Sequence, residues 1–361
     1  MNRTRTAALA LTLALALPTS LAAPAAQGVG VAAPGGDFVG IDGATHPLAP
    51  GQVPGLRGQF FLGTDLDLAC GVGGRGLASS MRSLTRLTRI IERSGRRVVW
   101  TVAPSKASVL SDRIDPATLP HGACDLEGLA EQRRVLDRRP DPAYLPVRRA
   151  LVDDRRQTYY RTDIHWTTVG ASDLTLALAR RLDPAVARRQ RFTYTTDSAL
   201  GVVNAALGNP LVPEDAPAAL PAGPVKVRTA RGSTPWHDTS KITFDHAWDA
   251  RPAAKAWPGR TVLLGDSFMF EALQTMRPVF AHGRFLWAEH APRRVLLRAI
   301  KRADTVVIES LQTFVPLGQV VTDRGFRAEV RRTLRGPGTE ATARSRPWPR
   351  SSRPCAPSSS W

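Results

Sequence analysis

Two short stretches of the chain carry residue types that can do chemistry together. The first is Thr261-Val262-Leu263-Leu264-Gly265-Asp266-Ser267-Phe268. An apolar run enters Gly-Asp-Ser and then a helix-like stretch, which sets the Ser267 hydroxyl at a helix start on the rim of a sheet. Gly265 permits the tight turn. Backbone N–H groups at such a turn face outward and can stabilise an oxyanion. The second stretch is Tyr159-Tyr160-Arg161-Thr162-Asp163-Ile164-His165-Trp166-Thr167-Thr168-Val169-Gly170. Asp163 and His165 are two apart, so an extended segment puts them on one face. A serine nucleophile needs a neutral imidazole to take its proton, and the imidazole needs a carboxylate to fix its tautomer. Ser267, His165 and Asp163 are therefore the candidate catalytic set. Taken singly, each stretch also has a plainer reading: a serine that caps a helix, and a loop histidine packed on Trp166. Asp266 reads as a brace for the turn.

The elements that must position these groups alternate along the chain. Residues 59–62, 97–103, 261–264 and 305–308 read as strands, with the apolar run 97–103 ended by Pro104. Residues 77–93, 169–182 and 293–302 have helical spacing, Gly95 stops the first, and a further helix begins near Phe268. Strand and helix in alternation mean crossover connections, hence an α/β fold with a mostly parallel sheet flanked by helices. In such sheets function gathers at the carboxyl ends of the strands. Ser105 and Lys106 follow the end of the strand 97–103, where they can line the site or supply an oxyanion donor. Tyr160 and Arg161 flank the Asp163–His165 pair and are candidate substrate contacts.

Residues 1–23 combine a basic start, an apolar run over 7–17 and small residues at its exit, the pattern of a secretory signal peptide. Eleven residues or so is too short to cross a bilayer comfortably. The chain is expected to be secreted or otherwise extracytoplasmic, at a periplasm or cell surface. Export permits disulfides, and Cys70 and Cys124 fall where they could pair or remain thiols, with Cys355 the odd one out. Residues 24–54 read as a Gly/Ala/Pro-rich flexible linker, 55–320 as the catalytic domain, and 321–361 as a largely disordered basic tail, Pro-rich from 336. A Pro/Ala-rich stretch over 209–224 reads as a long surface excursion. The formal charge is +18, from 49 Lys+Arg against 31 Asp+Glu, and only five of the basic residues are Lys. No arginine stripe is interleaved with aromatics, which argues against nucleic acid; an anionic glycan suits part of this charge. His237, Asp238, Asp245 and His246 lie close in sequence, but their spacing fits no zinc motif, and no metal or cofactor is expected.

Gly-Asp-Ser-Phe after a strand, together with Tyr-Tyr-x-Thr-Asp-x-His-Trp-Thr-x-x-Gly-Ala, resembles the SGNH-hydrolase-like domain of the alginate O-acetyltransferase family, of the AlgX/AlgJ type. Asp163 and His165 precede Ser267, a permuted order relative to ordinary secreted esterases with this serine motif. Phe60-Phe61-Leu62-Gly63, Val102-Ala103-Pro104-Ser105-Lys106 and Asp304-Thr305-Val306-Val307-Ile308-Glu309 resemble further parts of the pattern, which covers residues 58–315. The stretch 209–224 has no counterpart in it. The resemblance implies an exported O-acetyltransferase with Ser267 as nucleophile, His165 as general base and Asp163 as its orienting carboxylate. It implies acetyl transfer to an acidic or neutral extracellular polysaccharide, with a membrane-bound acyltransferase as the acetyl donor. A secreted acetylesterase with the same triad and a non-catalytic glycan-binding protein on this scaffold are the alternatives.

Overall fold

The computed structural model describes residues 37–39, 45–47, 52–138, 141–200, 213–223, 225–229 and 245–335. The signal-peptide segment, most of the linker, His237, Asp238 and Cys355 lie outside these. Two short pairs come first, β1 (Asp37–Val39) with β2 (Thr45–Pro47) and β3 (Gln52–Pro54) with β4 (Phe60–Leu62). Then follow α1 (Gly63–Glu92), β5 (Arg97–Ala103), α2 (Lys106–Val109), α3 (Ala123–Asp137), α4 (Arg148–Asp153), α5 (Thr168–Leu182), α6 (Pro184–Arg189), β6 (Phe192–Leu200), β7 (Pro213–Pro221) and β8 (Lys226–Thr229). The remainder is β9 (Asp245–Arg251), β10 (Trp257–Gly265), α7 (Ser267–Glu271), α8 (Leu273–Met276), β11 (Phe280–Trp287), α9 (Arg293–Arg302), β12 (Thr305–Leu311) and α10 (Arg324–Arg335).

The main sheet has the order β5-β12-β10-β11-β9-β8. β5, β12, β10 and β11 run parallel, and β9 and β8 extend the sheet with antiparallel pairings. The fold is thus α/β, with a mostly parallel sheet covered on both faces. Every residue of β12 is buried, as are the last five of β10, which is what a central parallel strand requires. Alternate residues serve opposite layers. Val98, Trp100 and Val102 pack with α1, α9 and α10, while Val99 and Ala103 pack with α5, α7 and α8.

Several elements depart from the sequence reading. The 321–361 tail begins inside folded structure. Phe326, Val330 and Leu334 recur every four residues on α10 and are buried against the core, a stripe that the surrounding arginines obscure in composition. The linker likewise ends in β3, whose Val53 is buried. The Pro/Ala-rich excursion is, over Pro213–Pro221, a strand paired along its length with β6, with Ala216 and Ala219 buried. The helix expected over 77–93 is the second segment of α1, which breaks at Gly73 (φ 58°); the segment before the break, from Gly63, lies outside that expectation and has its partner in α3. There Gly128 lies so near that a Cβ would come 2.0 Å from the Ala69 carbonyl oxygen. Cys70 and Cys124 are joined by a disulfide that ties these two helices together. Among the described residues no helix is long and apolar enough to cross a membrane.

Candidate active site

β10 delivers Gly265 to the carboxyl edge of the sheet, and the chain turns at Asp266 into α7 with Ser267 as its first residue. Asp266 caps the helix through Oδ1, which accepts the Phe268 N–H at 2.9 Å, and its Oδ2 accepts the Leu311 N–H of β12 at 2.7 Å. The Asp266 N–H donates to Glu309 Oε2 at 3.2 Å. Both carboxyls are buried. Burial raises Asp266, and burial together with the Asp266 charge raises Glu309 well above the usual range. Gly265 leaves room for this arrangement: a Cβ there would meet Met269 Cβ at 2.4 Å and Glu309 Oε2 at 2.7 Å.

The Asp163–His165 stretch is a hairpin tip and not the extended segment expected. Tyr159 bridges Trp166, the Thr167 N–H donates to the Thr158 carbonyl, and the chain bends through 161–165. The two side chains meet because the Asp163 carboxylate folds forward two residues, an Asx turn. Its Oδ1 accepts the His165 N–H at 2.9 Å and lies 2.7 Å from His165 Nδ1. Nε2 of the same ring is 2.9 Å from Ser267 Oγ. The structure therefore brings the three expected residues into one chain of contacts, 102 positions apart between His165 and Ser267. Phe268 packs on the His165 ring at 4.8 Å and meets Trp166 edge-on at 5.0 Å. Burial pushes the imidazole down, but the Asp163 charge and hydrogen bond, then Glu271 and Asp266, outweigh it and hold His165 up to about 9.

The other expected residues are placed as follows. Ser105 is buried and caps α2, its Oγ accepting the Ser108 N–H, while its own N–H donates to Gln312 Oε1 at 3.0 Å. Lys106 is 1% exposed. Its Nζ donates to the Arg161 carbonyl at 2.7 Å and the Asp163 carbonyl at 3.2 Å, beneath the hairpin tip. Burial lowers it to about 7 against the pull of Glu214, Asp163 and Asp65. Arg161 is held through its backbone and leaves its side chain partly exposed. Tyr160 is partly exposed, and burial keeps its phenol protonated. Asp245 pairs with Arg284, and His246 packs on Phe270 and Phe285.

A family model described as the SGNH hydrolase-like domain of acetyltransferase AlgX matches residues 54–245. The chain belongs to that family. The matched span holds Lys106, Asp163 and His165 and stops short of Ser267. The O-acetyltransferase domain of Pseudomonas putida AlgJ is 20% identical over 79% of this chain and 99% of that one, with a TM-score of 0.44. PatB1 of Bacillus cereus, solved with a sulfonyl adduct, is 12% identical over 67% and 91%, with a TM-score of 0.47. AlgX of Pseudomonas aeruginosa is 15% identical over 79% and 66%, with a TM-score of 0.43. Comparison with curated proteins gives no match.

Three acids around the site of this acetyltransferase-family domain escaped the sequence reading. Glu309 follows the apolar run 305–308 while still inside β12, and a charge at that point is a usable signal. Glu271 lies one helical turn beyond Ser267. Burial raises its carboxyl to about 7, the His165 charge opposing and the Asp163 charge adding. Glu214 sits in the Pro/Ala-rich run, where nothing local marks it.

Proposed function

We propose that this protein is an exported O-acetyltransferase that moves an acetyl group through an acetyl-Ser267 intermediate onto a hydroxyl of an extracellular polysaccharide. The observation that carries the reading is the unbroken line Asp163 Oδ1, His165 Nδ1, His165 Nε2, Ser267 Oγ, with contacts of 2.7 and 2.9 Å. In the first half, His165 Nε2 takes the Ser267 proton as Oγ attacks the acetyl carbonyl. The donor alcohol leaves with that proton and acetyl-Ser267 remains. In the second half, His165 takes the proton of an acceptor hydroxyl, whose oxygen attacks the acyl carbonyl, and returns the proton to Ser267. Asp163 fixes the tautomer and offsets the imidazolium charge. The Ser267 N–H, at the first position of α7, is the proposed oxyanion donor. Arg161 and Tyr160, beside the hairpin tip and partly exposed, are the proposed contacts for the acceptor chain. Ser105 and Lys106 have their polar atoms engaged inside the protein and are not offered as substrate ligands. The acetyl donor is proposed to be a membrane-bound acyltransferase, and the N-terminal segment the signal for export.

The test is incubation with an acetyl ester, with and without oligosaccharide. An acetyl group on Ser267 by peptide mass spectrometry and acetylated sugar among the products are expected. Ser267→Ala, His165→Ala and Asp163→Ala should each abolish both. Free acetate with no acetylated sugar identifies an esterase, and undiminished turnover by Ser267→Ala removes the mechanism.

A further inference from the structure

Glu214 is the second residue of β7, on an arm that joins the rest of the protein by packing against α5, where the Ala219 N–H donates to Thr168 Oγ1 at 2.7 Å. Its carboxylate is 1% exposed and faces the hairpin that carries Asp163 and His165. Oε1 accepts from Gln157 Nε2 at 3.0 Å and the Arg161 N–H at 2.9 Å. Oε2 accepts from the Thr162 N–H at 2.7 Å and Thr162 Oγ1 at 2.6 Å. A carboxylate offers about four lone-pair sites, and all are used on one short stretch of chain. From the other side Lys106 Nζ reaches the Arg161 carbonyl at 2.7 Å. The Arg161 carbonyl and the Thr162 N–H belong to one planar peptide unit. That unit thus has the Lys106 amine donating to its oxygen and the Glu214 carboxylate accepting from its N–H, one residue before Asp163. Hydrogen bonds from buried side chains at the two ends of one peptide unit oppose its rotation, and each is strong in a site with little water to compete.

We propose that Glu214 is a positioning residue of the reaction: with Lys106 it pins the Arg161–Thr162 peptide and so aims the Asp163 carboxylate at His165. This rests on the Asp163–His165–Ser267 reading given above. A helical or loop residue that only filled space would need none of the four hydrogen bonds. Glutamine in its place keeps the shape but turns one acceptor into a donor facing Thr162 or Arg161 N–H. A small rotation of the peptide then carries Asp163 away from His165 Nδ1, and displacements near 1 Å are enough to matter.

The experiment compares wild type with Glu214→Gln, Lys106→Met, their double variant and Thr162→Val, using hydrolysis of a chromogenic acetyl ester across pH and thermal melting of each protein. Ser267 labelling by a sulfonyl fluoride, followed by mass spectrometry, reports activation of the hydroxyl without turnover. For Glu214→Gln a fall in kcat of about 100-fold is expected, with KM changed by less than about twofold. The acid limb of the pH profile should move down by about one unit, because a displaced Asp163 charge holds the imidazole up less, while Glu271 and Asp266 still raise it and burial still lowers it. Labelling of Ser267 should slow in parallel. Thr162→Val, which removes one bond and keeps the shape, should shift the same limb in the same direction by less. The double variant should lose less than the product of the single losses, since both groups act on one peptide. An unmoved acid limb, or a loss of activity fully matched by loss of folded protein, overturns the proposal. Should Glu214→Gln fail to fold, Thr162→Val with a wild-type profile overturns it equally. Undiminished hydrolysis by Ser267→Ala would instead overturn the triad reading, so the two failures are separable.

Discussion

The serine turn and the histidine hairpin share a single hydrogen bond, yet their supports differ in kind. Around Ser267 the braces come from the sheet and from the helix that leaves it. Asp266 is fixed by N–H groups of α7 and β12, Glu309 lies within β12, and the Gly265 carbonyl accepts the Ala288 N–H that follows β11. Around His165 the braces come from elements far apart in the chain. Tyr159 Oη donates to the Pro104 carbonyl at 2.6 Å, the Phe60 N–H reaches the Arg161 carbonyl, and Lys106 and Glu214 close on the tip. The nucleophile inherits its place from backbone geometry that a parallel sheet fixes anyway. The base has no such scaffold and is held from distant elements, largely by side chains, with Lys106 and the Glu214 carboxylate among them. The serine side should therefore be intolerant of added atoms, and the histidine side intolerant of lost charge.

The largest effect should follow from removing charge where the two sides meet. His165 acts as a base only when neutral, and its pKa is raised to about 9. The rate of ester hydrolysis should therefore climb with pH until about pH 9, alkaline of an unperturbed histidine near 6.5. Asp163→Asn removes the largest of the charges that raise the pKa and leaves the burial that lowers it, with Glu271 and Asp266 still raising it. Its acid limb should fall below that of the wild type, and kcat should drop by about 10⁴-fold through loss of the correct tautomer. A pH–rate series on both proteins measures this. An Asn variant with the wild-type limb would mean that Asp163 does not control the imidazole, and the hairpin would lose its role in the comparison.

Next in size is an added methyl on the serine side. In Gly265→Ala the new Cβ faces Met269 Cβ at 2.4 Å and Glu309 Oε2 at 2.7 Å. Neither neighbour can retreat freely, since one belongs to α7 and the other faces Asp266. Stability should fall by about 1–3 kcal/mol from overpacking, and kcat by about 10²-fold from displacement of Oγ. Urea unfolding and steady-state kinetics on the same preparation give both numbers. The Glu214→Gln variant should show a comparable loss of rate with the pH limb displaced, whereas Gly265→Ala should leave that limb in place. Equal limb shifts in the two variants would erase the distinction between the two kinds of support.

This distinction also accounts for what the sequence discloses. β5 over Arg97–Ala103 and α9 over Arg293–Arg302 are legible to the residue, because continuous burial and 3.6-residue spacing are local patterns. Ser267 is legible for the same reason: a strand, a glycine and a helix start are consecutive. Asp163 and His165 are visible as residue types, but their contact comes from an Asx turn at a hairpin tip, which spacing alone does not reveal. Glu214 is invisible locally. Its meaning depends on β7 returning to the hairpin some fifty positions away, and its neighbours Pro213 and Asp215 suggest only a loop. α10 was masked by its arginines, which lower mean hydropathy without disturbing the apolar stripe of Phe326, Val330 and Leu334. Pairings between distant segments are the part that local pattern cannot supply.

The smallest effect on rate should come from the Cys70–Cys124 link, and it bears on how far the support of the histidine side extends. The disulfide closes a loop of 54 residues between α1 and α3. Asp65, five residues before Cys70, is buried; burial raises it to about 6 against its hydrogen bond from Thr313 and the Lys106 charge. α1 is thus part of the floor beneath Lys106. Replacing both cysteines by serine should lower stability by about 2–4 kcal/mol, chiefly by freeing the unfolded chain. If the floor keeps its geometry through the apolar packing of Leu66, Ala69 and Leu129, kcat should stay within about twofold of wild type. A much larger fall in kcat, measured well below the lowered melting temperature, would show that Lys106 depends on the covalent link. The hairpin would then be clamped by α1 as well as by the arm that carries Glu214.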